Sequence, residues 1–224
     1  MIPSETTFDP TIRRLAAYTS IGSAILMLVG AVFFIGSGVD LRAVLLERQM
    51  PAFLANSAAV KKIVVANLSF WILGVFIMGI AGRALVALSQ KRPGPAKVAQ
   101  TCYSVAVPLA IMAFLGMMSL VFQVAPDTSA SSVTLAGVVG WIAVRADDLA
   151  TALLIGAGPF LISQAGRGDW VPKWLLRWGY LTGGLGLLAI VTLFVPRQYV
   201  LGFVLIPVGL GWMLAAGLVL LRQR

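Results

Sequence analysis

The sequence predicts an all-α fold: a polytopic transmembrane helix bundle of six spanning helices, with short interfacial helices between them. Three observations lead there. Of 224 residues, 59% are hydrophobic and only 11% charged, and the mean hydropathy of +0.95 lies outside the range of soluble domains. The apolar residues form long runs without the period-2 alternation of barrel strands, and helices and closed barrels are the only backbones that satisfy themselves in hydrocarbon. The Lys and Arg residues stand in short clusters between these runs, where they act as topology signals.

Residues 1–14 read as a polar tail closed by Arg13 and Arg14, and residues 15–224 as one six-helix membrane domain. The first run, about 15–39, exceeds the roughly 7 to 15 apolar residues of a signal-peptide core, so it is expected to be retained as a span. Asp40 to Lys62 mixes charges with Leu41, Leu45 and Phe53 and is broken by Pro51, the pattern of a short interfacial helix and a turn. The second span covers about 63–88 and is followed by the turn SQKRPGPAK. A third, about 98–124, gives way to Pro126-Asp127-Thr128-Ser129, a stretch with no basic residue.

The fourth span is expected at about 145–165, with residues 133–144 as a surface or re-entrant helix, because neither apolar fragment alone reaches the roughly 20 residues that cross a bilayer. One long, bent helix over 133–163 is the alternative. Asp169 stands as an N-cap with Pro172 in the first turn of a fifth span, about 170–194. The sixth, about 199–221, follows the turn Val195-Pro196-Arg197-Gln198. Threaded this way, eleven Lys and Arg residues fall inside and six outside: Arg42, Arg48, Lys61, Lys62, Arg145 and Arg197. Both chain ends are therefore expected on the cytoplasmic side of the membrane.

The net charge of +9 is divided among these loops rather than gathered on one soluble face, which excludes nucleic acid as a partner. Histidine is absent and Cys102 is the one cysteine. That removes His-ligated haem, histidine-bearing zinc sites, Ser/His and Cys/His catalysis, and an intrachain disulfide. No catalytic, cofactor-binding or metal-binding residue is expected, and the protein is expected not to be an enzyme.

Arg145, Asp147 and Asp148 form a polar cluster beside an apolar run. Arg145 and Asp148 are three apart and can pair on a helix, and ionisable residues within a membrane are functional hypotheses by default. Alternatively they lie at the outer headgroups and simply start the fourth helix. No carboxylate then falls near the middle of any span, which argues against a pump built on buried Asp or Glu. Trp170, Trp174 and Trp178 recur every four residues as an interfacial stripe, either a headgroup anchor or a stacking platform. Pro108, Pro159 and Pro207 stand inside helices and can kink them. Gly179 and Gly183 make a GxxxG pair, extended by Gly184 and Gly186, for close packing within the chain or against a second copy or partner.

The run Leu161-Ile162-Ser163-Gln164-Ala165-Gly166, then Val171-Pro172-Lys173-Trp174-Leu175 and Gly179, resembles uncharacterised six-span bacterial membrane proteins grouped as a domain of unknown function. The likeness covers the C-terminal 80 or so residues and implies a fold without an activity. The function expected is non-enzymatic: binding of a lipid, an apolar small molecule or a partner protein within the bilayer. A small-solute transporter or channel subunit is the alternative.

Overall fold

The computed structural model describes residues 9–89, 91–195, 197 and 200–223. Most of the expected 1–14 tail, and half of the turn at 195–198, lie outside them. Among the described residues the regular structure is helical, with no strand. It comprises α1 (Pro10–Ser37), α2 (Leu41–Leu46), α3 (Met50–Ser57), α4 (Lys61–Ala87), α5 (Pro93–Ser119), α6 (Ala130–Thr151), α7 (Gly158–Ala165), α8 (Lys173–Ile190) and α9 (Val200–Arg222). Among the described residues, five helices are long and apolar enough to cross a membrane: α1, α4, α5, α8 and α9. Ile35, Leu187 and Phe194 are 76%, 71% and 80% exposed. Such large apolar surfaces need a hydrocarbon solvent, so the chain has the character of a multi-pass membrane protein.

Capping chemistry sets several boundaries differently from the hydropathy pattern. The Asp9 carboxylate accepts from the Thr11 amide and Pro10 occupies the first turn, so α1 begins at Pro10. It ends at Gly38, whose φ of 62° is a left-handed conformation that costs a residue without Cβ little. Pro93 and Pro95 enter the first turn of α5, so the apparent loop SQKRPGPAK is partly helix.

The largest departure concerns the fourth helix, which does not begin near Arg145. Helix runs unbroken from Ala130: 22 residues of α6, a six-residue π-helical segment over Ala152–Ala157, and eight residues of α7. Residues 133–144 therefore belong to this rod and form neither a surface nor a re-entrant helix. Ser129 caps the start at the Ser132 amide, and Asp127 accepts from Ser132 Oγ at 2.6 Å and from the Ser129 amide at 2.9 Å. The charges do not end the helix because partners elsewhere in the bundle take them up. The π-helical segment directly precedes Pro159, which has no N–H to give to Ile155, and the wider turn absorbs that break.

The hydrogen bonds from Ser132 and Ser129 hold the Asp127 carboxyl below its ordinary value of 3.8. A depressed folded pKa stabilises fully above the unfolded value and is lost as pH falls through the lower folded one. Protection of the α6 first-turn amides, followed by hydrogen exchange and corrected for intrinsic rates, should therefore decline only below about pH 3.8. In Asp127→Asn that decline should vanish, and an identical acid profile in the variant would refute the capping role.

Glycine contacts fix the order of the rods. A methyl group at Gly30 would lie 2.4 Å from Trp71 Cδ1, and one at Gly74 2.9 Å from Met27 Sδ, so α1 and α4 run antiparallel. The Asn67 amide and Trp71 indole clamp the same crossing, donating to the carbonyls of Gly30 at 2.9 Å and Met27 at 3.2 Å. Gly82 meets Tyr103, Gly116 faces Ala143, Gly186 meets Gly156 and Gly211 meets Trp178, so each successive rod reverses direction. Gly217 closes the ring on Ala17 and Ile21 of α1. The start of α1 and the end of α9 thus share one face of the bundle, while α2 and α3 cover the opposite end.

Candidate functional site

Where α1, α4, α5, α6 and α9 come together in the half of the bundle nearer α2, they leave a cavity of about 290 Å³. Its wall is mainly apolar, with the aromatic rings of Phe34, Trp71, Phe114 and Phe203 among aliphatic and methionine side chains. Trp71 touches both Phe34 and Phe114, with ring centroids 5.5 and 5.4 Å apart. The helix α2 closes one side: its Leu45 packs on Gly140 of α6, and Leu41 and Leu45 are buried. The polar groups on the wall are Asp40, Arg42, Asn67, Asp147, Asp148 and Thr151.

Asp147 and Asp148 do not sit at a helix start. Along α6 and α7 they lie between Ala143, which faces Gly116, and Gly158, which faces Tyr103, so they are interior to both their own rod and α5. The expectation that they start a helix gives way to its alternative, one long helix running through 133–163. Hydropathy alone broke the rod at its charges, whereas the structure pairs Asp148 with Arg42 and Arg145 inside one continuous helix.

Asp148, which is buried, accepts a hydrogen bond from Arg42 Nη2 across from α2, and Arg145 Nη1 stands 3.7 Å away on the same rod. Arg145 also donates to the Thr192 carbonyl beyond α8 and lies 5.2 Å from the Trp141 ring centroid. Asp40 caps α2, accepting from the amides of Arg42 at 2.9 Å and Ala43 at 3.4 Å. Asp147 forms no salt bridge among the described residues. Its neighbours are Thr151, one turn further on, and the charge of Arg42. Of the predicted cluster, Arg145 and Asp148 come together as a pair, while Asp147 turns separately to the cavity.

The tryptophans do not form one stripe. α8 begins at Lys173, so Trp170 precedes it, with Pro172 rather than Asp169 in the N-cap position. Trp170 is buried and donates to Ser89 Oγ at 3.1 Å, while its carbonyl accepts from Gln223 at 2.8 Å. It locks the ends of α4, α8 and α9 together beside the Lys91–Asp169 ion pair at 3.4 Å. Trp174 stays half-exposed, and Trp178 donates to the Val208 carbonyl at 3.0 Å. The Gly179, Gly183 and Gly186 face is filled by Ser163, Phe160 and Gly156 of the same chain, leaving Gly184 open.

Arg42 and Asp40 were not among the sequence candidates. One signal was available: Asp147 and Asp148 outnumber Arg145, and an excess buried carboxylate calls for a further cation. No protein-family model, curated protein or solved structure matches the chain.

Proposed function

We propose that the protein is a non-enzymatic membrane protein that holds a lipid chain or an apolar small molecule in its central cavity. The observation that carries this reading is the aromatic-lined space of about 290 Å³, close to the lower end of small-ligand pockets. It lies within the apolar length of the bundle, where hydrocarbon can reach it. Six crossings fit best, by α1, α4, α5, the α6–α7 rod, α8 and α9. The inside face, in a bacterial cytoplasmic membrane, would carry the start of α1 and the end of α9. Two of the six outward cations, Arg42 and Arg145, are engaged within the bundle, which sharpens the positive-inside bias. A partner or second copy would use surfaces other than the filled glycine face of α8.

The test uses protein in lipid nanodiscs and a long-chain alcohol bearing a diazirine, with crosslinks mapped by mass spectrometry. Label should appear at Phe34, Trp71 and Phe114, and the cavity-filling Ala110→Phe should reduce it roughly tenfold, the loss expected when a pocket of this type is blocked by about 1.4 kcal/mol. Label confined to lipid-facing residues such as Leu187 and Phe194, unchanged by Ala110→Phe, would sink the reading.

A second reading, a small-solute transporter, is favoured by one observation: Asp147 and Asp148 are interior to a rod that also carries a π-helical segment, a combination found at functional sites. Solute flux into sealed proteoliposomes, abolished by Asp147→Asn, would replace the first reading with this one.

A further inference from the structure

The cavity wall carries an unbalanced charge. Two cations, Arg42 and Arg145, serve it against three carboxylates, Asp40, Asp147 and Asp148. Asp40 is hydrogen-bonded by the amides at the start of α2, where the helix dipole also favours a negative charge. Asp148 takes up Arg42 and is flanked by Arg145, and Arg145 is further committed to the Thr192 carbonyl and the Trp141 ring. Asp147 is left with the hydroxyl of Thr151 and with the charge of an Arg42 already bonded to Asp148, and it forms no salt bridge among the described residues.

A carboxylate on an apolar wall is costly until something pairs with it. An anionic ligand would find both arginines occupied and Asp147 repelling it. A cationic head would find Asp147 as counter-ion and the faces of Phe34, Trp71, Phe114 and Phe203 around it, which attract cations through their ring quadrupoles. The remaining apolar wall would take a hydrocarbon body.

Building on the cavity as a binding site, we infer that its occupant is a lipophilic cation, an amphiphile whose positively charged head pairs with Asp147 while its apolar body lies among the aromatic side chains. Asp147 is then the residue that sets specificity, with Arg42 already committed to Asp148.

Two chain-matched diazirine probes test this in nanodiscs, one with a quaternary ammonium head and one with a hydroxyl head. The permanent charge removes any ambiguity from probe protonation. At equal membrane concentration the ammonium probe should label Phe34, Trp71 and Phe114 at least ten times more strongly. Asp147→Asn should erase that preference, so that the two probes label alike, and Asp147→Glu should retain part of it. Equal labelling by both heads, as a protonated and neutral Asp147 would give, overturns the inference but leaves the cavity reading standing. A preference that persists in Asp147→Asn also overturns it. If neither probe labels the cavity, the binding reading falls as well.

Discussion

Arg42→Ala should destabilise the folded protein by about 3–5 kcal/mol, the usual consequence of removing one member of a buried ion pair. The two side chains are only 15% and 7% exposed, so neither solvent screening nor easy relaxation rescues the carboxylate left behind. Arg145, at 3.7 Å and already bonded to Thr192, can replace only part of the lost partner. The double variant Arg42→Ala with Asp148→Ala should be far milder than the sum of the single changes, because it removes both charges together. Arg42→Lys should fall between, since an ammonium cannot reproduce the guanidinium fork. Reversible unfolding in mixed micelles measures the parent, Arg42→Ala, Asp148→Ala, the double variant and Arg42→Lys. Protease sensitivity within α2 reports whether that helix detaches from α6. An Arg42→Ala protein that melts like the parent would show that the pair does not hold α2 in place.

The second large effect concerns the crossing of α8 with the π-helical segment. A methyl group at Gly156 would lie 2.7 Å from the Cα of Gly186, and one at Gly186 would lie 2.8 Å from the Cα of Gly156. Each glycine meets backbone, so no side-chain rotation can make room. On the other side, Gly209 of α9 abuts the Ile155 carbonyl, where a methyl would stand 2.5 Å away. Gly156→Val must therefore push two rods apart at once and should cost about 3 kcal/mol or more, the upper range for overpacking. Gly184→Val, two residues from Gly186 but facing open space, should stay within about 0.5 kcal/mol. Thermal melts of the pair in one detergent give the comparison, and equal melting temperatures would refute the proposed crossing.

Much of the architecture was legible in the chain because lipid imposes it. A backbone in hydrocarbon must bond to itself, so runs such as those that became α1, α4, α5, α8 and α9 announce helices by apolar length alone. The short charged stretch after Val39 announced an interruption. Helix ends were less legible, since Asp9, Ser129 and Pro93 act through single hydrogen bonds and fixed dihedrals that hydropathy does not register.

The site was the least legible part. By itself the sequence determined that the protein is helical, apolar and without histidine chemistry, because composition and the satisfaction of backbone groups in lipid depend on no contact between distant residues. Only the tertiary structure decided that Arg145, Asp147 and Asp148 stay within one continuous rod. It did so by bringing Arg42 across 106 residues of sequence to Asp148 and Thr192 to Arg145. Whether a charge ends a helix or lines a cavity depends on the partner it meets, and the partner is chosen by packing.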